Sequence, residues 1–221
     1  MLQEQKPPTH ISNITIKSVK YSESIKDWLH RLSITVVIVT SVVLLTSFST
    51  CSGFAEEPIL VKSHAAAELS AGKWFNTPSG NLIKLADLKG KVTILHFWTL
   101  GCINCRRNLP SYNRWYKKFD PKQVSIIGVY TPETSGEASK TAVEKAVKRH
   151  GIAYPVLVDS LQNGHYTNWD RWNQHYWPTV YLIDKKGNVR WSWEGELEYD
   201  HSGGEAKMQK LVEKLTQEEG K

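Results

Sequence analysis

One stretch limits what this chain can fold into more than any other. The apolar run Val92-Thr93-Ile94-Leu95-His96-Phe97-Trp98 passes through Thr99-Leu100-Gly101 into Cys102-Ile103-Asn104-Cys105. The run is rich in β-branched and aromatic residues and reads as a buried strand. Residues 104 to about 119 read as a helix, kinked at Pro110 because proline lacks the N–H and crowds the preceding turn. A strand that delivers Cys-x-x-Cys to a helix start is the setting of a redox pair. Two intervening residues let the sulfurs meet across one turn. The free N–H groups and positive dipole end of the helix lower the pKa of the first thiol. Cys102 is therefore the expected attacking thiolate. Cys105 is the expected resolving thiol, closing the disulfide and releasing the substrate.

Two other uses of the motif compete. A zinc site needs a second cysteine pair or suitably spaced histidines. The third and last cysteine, Cys51, lies in a segment expected to be removed or to sit in membrane. A purely structural disulfide would gain little, since so short a loop hardly constrains the unfolded chain. The redox reading is preferred, with no metal and no other cofactor expected.

The N-terminus reads as separate from the fold. Residues 32–55 carry no charge, and the apolar centre 34–45 follows His30-Arg31. Gly53-Phe54-Ala55 places small residues where a signal peptidase would cut, and Glu56-Glu57-Pro58 follows. A cleaved signal is favoured over an uncleaved anchor because Ser and Thr dilute the run, although its length suffices for a span. Phe48-Ser49-Thr50 before Cys51 is a poor lipidation signal. Residues 1–55 are thus an extension plus signal peptide or anchor, and residues 56–221 one domain outside the cytoplasm, periplasmic or secreted. The polar stretch before Leu32 is longer than a signal peptide requires. The formal charge of +6 is spread among apolar residues with no Lys/Arg block, so nucleic-acid binding is not expected.

Along the domain, residues 56–72 read as a lead-in with a helical turn at 65–69. Residues 73–77 read as a strand that turns at Pro78-Ser79-Gly80-Asn81 and resumes at 82–85. A second buried strand is expected at 123–130 and an amphipathic helix at 138–149, with Gly151 after it. A short strand at 154–159 and a helix at 166–176 follow. Residues 180–184 and 189–193 form a hairpin about Lys185-Lys186-Gly187-Asn188. The helix at 203–219 turns Met208, Leu211, Val212 and Leu215 inward. Tyr112, Trp115, Tyr116 and Phe119 read as core. The order implies an α/β sandwich whose first two long strands are parallel, with Cys102 at the C-terminal edge of the central strand.

Phe97-Trp98-Thr99, Cys102-Ile103-Asn104-Cys105, Ile127-Gly128-Val129 with Thr131-Pro132-Glu133, Tyr154-Pro155, and Trp177-Pro178-Thr179 before Tyr181-Leu182-Ile183-Asp184 together resemble one family. It is the exported thioredoxin-like thiol–disulfide oxidoreductases of the TlpA/ResA type. Cys-Ile-Asn-Cys is most similar to the redox domain of the DipZ type. The resemblance covers about 74–193. It implies a thioredoxin-like fold, a central mixed β-sheet flanked by helices. It implies a cis Pro178, with Trp177, Pro178 and Thr179 as the edge that binds an extended client and excludes metal. It also implies client proteins with disulfides or thiols, and a separate membrane or exported electron donor.

Four departures stand out. Gly101 replaces the tryptophan of ordinary thioredoxins, and Ile103-Asn104 replaces their Gly-Pro. Asn108 stands where the cytochrome-maturation branch often has a glutamate. His96 takes the place of thioredoxin's buried aspartate. His96 reads first as a neutral core histidine bonded to a backbone carbonyl. Its position in the family pattern makes it an acid/base candidate for Cys105, with Glu133 as the rival. Three other functions remain: a thiol peroxidase, since Thr99 lies three before Cys102; copper delivery, against which the cysteine spacing speaks; and a non-catalytic thioredoxin-like binding module.

Overall fold

The computed structural model describes residues 58–77 and 82–220. The N-terminal extension with its apolar run, Cys51 and the turn at 78–81 lie outside the described residues. Among the described residues no helix is long and apolar enough to cross a membrane.

Seven strands form one sheet: β1 (Ile59–Ala65), β2 (Lys73–Phe75), β3 (Val92–Trp98), β4 (Val124–Tyr130), β5 (Val156–Val158), β8 (Thr179–Ile183) and β9 (Asn188–Glu194), in the order β1-β9-β8-β3-β4-β5-β2. β3 lies at its centre, parallel to β4 and antiparallel to β8, as a mixed sheet requires. Every residue of β3 is buried. That explains its unbroken apolar composition, because both faces of the strand are covered. Helices α1 (Ile103–Lys118), α2 (Lys140–Arg149) and α4 (Gly204–Gln217) supply Leu109, Tyr112, Trp115, Val143, Ala146, Met208, Val212 and Leu215 to the core on one face. The other face buries Leu95, Phe97, Ile127 and Val129 beneath Leu69, Trp74, Leu85 and Trp172. The short helix α3 (Thr167–Arg171) carries Trp169 and ends at Trp172.

Several expectations change. Residues 59–65 form β1, paired with β9, rather than a lead-in ending in a helical turn. Its side chains are mostly exposed, so no apolar alternation marks it. Residues 82–85 do not resume a strand. Leu85–Leu88 instead make a 3-10 turn, whose Leu85 and Ala86 N–H groups donate to the Glu68 carboxylate. The helix at 166–176 shrinks to α3 because Asn173 adopts a positive φ of 48°. A hairpin of β6 (Leu161–Gln162) and β7 (His165–Tyr166) precedes it, turning at Asn163-Gly164, both at positive φ. α2 begins at Lys140, since Ser139 accepts from the N–H of Ala142 and caps it. Residues 135–138 form a separate 3-10 turn. Tyr116 is exposed rather than core. α1 is continuous across Pro110, which lies on its exposed side.

Candidate active site

β3 ends at Trp98, and four residues later Cys102 is the N-cap of α1. Cys102 and Cys105 are joined as a disulfide, with Cα atoms 5.3 Å apart. The two sulfurs differ in setting. Cys102 is partly exposed, and its Sγ accepts from the N–H of Cys105 at 3.1 Å. Cys105 is buried against the helical face of the core. The N-cap position adds the positive end of α1 to that N–H.

Thr179 pairs with Phe97 across the β3–β8 ladder, so Trp177-Pro178-Thr179 enters the sheet at the end from which the cysteines emerge. The Trp177–Pro178 bond is cis. The Trp177 ring lies 4.1 Å from that of Trp169 and packs against both core clusters. Ile103 and Tyr176 are exposed apolar side chains at this end.

His96 is fully buried on β3. Its ring stacks on Tyr112 at 4.0 Å and meets Tyr154 edge-on at 5.5 Å. The carbonyl partner expected for it is absent, for neither ring nitrogen has a hydrogen-bond partner. Burial pushes its pKa down to about 3, so the imidazole is neutral near pH 7. Gly128 makes room for it, since a Cβ there would lie 2.9 Å from His96 Nε2.

Glu133 is exposed just beyond β4. Its N–H donates to the carboxylate of Glu137. Glu137 also accepts from the Thr99 hydroxyl. Both carboxylates converge on Gly101. A Cβ at 101 would come 2.9 Å from Glu137 Oε1 and 3.2 Å from Glu133 Oε2. Gly101, unlike a tryptophan, leaves that space to the two carboxylates. Glu137 sits in a 3-10 turn with no periodic pattern, so no sequence signal marked it. Asn108 is structural. Its amide donates to the Gly195 carbonyl and accepts from the Leu197 N–H, tying α1 to the loop after β9. Among the described residues no three His, Cys, Asp or Glu side chains converge as metal ligands.

The AhpC/TSA family profile matches residues 64–192. Protein DipZ of Mycobacterium tuberculosis is 39% identical over 127 residues, which is 58% of this chain and 18% of that protein. The thiol-disulfide oxidoreductase ResA of Bacillus thuringiensis is 37% identical over 112 residues, 50% of this chain and 58% of ResA. The chain therefore spans less than two thirds of each of these relatives. Among solved structures, the thioredoxin-like superfamily protein SPOA0173 superposes with a TM-score of 0.63 at 23% identity, covering 70% of this chain and 97% of that one. This last likeness shows the thioredoxin-like fold.

Proposed function

The chain belongs to the AhpC/TSA family, and from that premise we propose that it is an extracytoplasmic thiol–disulfide oxidoreductase acting on proteins through Cys102 and Cys105. The observation that carries the reading is the asymmetry of the pair. One sulfur is accessible, caps a helix and accepts an N–H, while the other is buried one turn inside. The Cys102 thiolate attacks a client disulfide and forms a mixed disulfide, and the displaced client sulfur leaves as a thiolate that takes a proton. Cys105 then loses its proton and attacks Cys102 Sγ. The Cys102–Cys105 disulfide closes and the second client thiolate departs. Two electrons pass to the client, and a separate membrane or exported donor restores the dithiol. Trp177, Pro178 and Thr179 supply the edge along which the client lies.

The apolar run at 32–55 supports export, as a cleaved signal or an anchor. The Cys105 proton passes, in this reading, to the Glu133–Glu137 pair rather than to His96. An imidazole held at about 3 is a poor acceptor near neutral pH. The peroxidase alternative is disfavoured because the Thr99 hydroxyl, which would face a peroxide at Cys102, donates to Glu137 instead.

Insulin reduction with dithiothreitol tests the exchange, run beside peroxide consumption and copper uptake. Catalysed reduction that disappears in Cys102→Ser supports the reading. Peroxide turnover without insulin reduction would replace it with the peroxidase, and neither activity would point to a binding module.

A further inference from the structure

Beside the disulfide, between α1 and α2, lies a cleft of about 570 Å³ lined by Leu100, Arg106, Lys145, Ala146, Arg149 and His150. Four of these six side chains are basic and none is acidic. Leu100 stands two residues before Cys102 in the chain. Arg106 stands four after it, about 6 Å of helix rise. The Leu100 carbonyl accepts from Arg106 Nη1 at 2.6 Å, which holds the guanidinium at the cleft while its other N–H groups remain to donate. Among the described residues the side chains of Lys145 and Arg149 form no hydrogen bond or ion pair. This separates them from Arg107, Arg114, Lys118 and Lys140, each of which meets a glutamate.

We propose that this cleft docks an acidic segment of the exchanging client, seating Asp or Glu side chains a few residues from the client cysteine that bonds Cys102. The proposal rests on the exchange reading above and names the class of client it favours. An extended chain advances roughly 3.3 Å per residue, so carboxylates two to four positions from the client cysteine span the rise from Cys102 to Arg106 and enter the cleft there. Uncompensated cations focused in a concave site raise the encounter rate with an anionic partner more than they hold it, and salt weakens the effect. Burial lowers the pKa of His150, and the neighbouring Arg149 and Arg106 charges lower it further.

The test uses the full chain and two model peptides, alike except that one carries four Asp or Glu residues within four positions of its cysteine and the other four Ser or Gln. In the first arm, serine replaces the peptide cysteine and binding to the oxidised protein is measured at low salt. The acidic peptide is expected to bind at least tenfold more tightly than the neutral one and to shift the His150 ring resonances. The Lys145→Glu/Arg149→Gln variant, changed only at exposed positions and checked for folding by circular dichroism, is expected to lose that preference. In the second arm, the disulfide forms of the peptides are reduced, and the acidic one is expected to react about tenfold faster, a ratio that falls towards one in high salt. Equal binding of the two peptides overturns the proposal. So does inorganic phosphate binding as tightly as the acidic peptide and displacing it, since the cleft would then be a small-anion site. If neither peptide is reduced while the acidic one still binds at the cleft, the exchange reading fails and the docking site stands.

Discussion

The N–H of Cys105 points at the sulfur of Cys102, 3.1 Å away. In the proposed exchange, the residue that later attacks Cys102 therefore stabilises the charge on it first. A thiolate that caps a helix and accepts an N–H titrates below an ordinary thiol. We expect alkylation of the reduced protein near neutral pH to label Cys102 well ahead of Cys105 when mapped by mass spectrometry. Cys102→Ser should abolish exchange, and Cys105→Ser should accumulate a mixed disulfide with the client. Preferential labelling of Cys105 would reverse the assignment.

The two carboxylates at Gly101 oppose that thiolate, because nearby negative charge disfavours it. Glu137→Gln should lower the Cys102 thiol pKa by about half a unit to one unit, read from the pH dependence of alkylation. The pair should also matter later. Resolution of a preformed mixed disulfide, followed against pH, should slow in Glu133→Gln and Glu137→Gln and keep its profile in His96→Asn. A profile altered only in His96→Asn would return the proton to the imidazole.

His96 gives a pH dependence of stability with a definite sign. Its pKa is about 3 when folded and near 6.5 when unfolded, so the unfolded chain takes up the proton first. Its contribution is complete above pH 6.5 and is lost as pH falls towards 3, at about 1.4 kcal/mol per pH unit. Urea denaturation at pH 7, 5 and 4 should show this slope, and His96→Gln, less stable at pH 7, should flatten it by that amount. Gly128→Ala should cost about 1–3 kcal/mol. Its Cβ would meet His96 Nε2 at 2.9 Å and Trp98 Nε1 at 3.1 Å, inside a core with no room to yield.

Asp159 links the sheet to the edge proposed for the client. Its buried carboxylate accepts from the N–H groups of Ser160, Asn168 and Trp169, the Asn168 amide and the Thr131 and Thr167 hydroxyls. Asp159→Ala leaves these donors unpaired and should cost about 2–4 kcal/mol by urea denaturation. It should also loosen Trp169, against which Trp177 packs, and so raise the KM for client more than it lowers kcat. Full stability in the variant would show that water replaces the carboxylate at no cost.

The central strand, the helix after it and the placing of both cysteines at the start of that helix were legible in the sequence. Each depends on local periodicity or on spacing along one helical turn, from Val92 to Cys105. The hairpin about Gly187 was equally local, and Asn163-Gly164 carries the same kind of turn signal for the β6–β7 hairpin. The tertiary structure alone decided what depends on partners far away in the chain. Ile59–Ala65 is a strand because β9 pairs with it, and residues 85–88 turn because Glu68 caps them from seventeen residues away. The burial of His96 beneath Tyr112, the carboxylates at Gly101 and the basic cleft each bring together residues from separate elements. No period or spacing records such a meeting, because its free energy comes from packing and charge across the fold rather than along the chain.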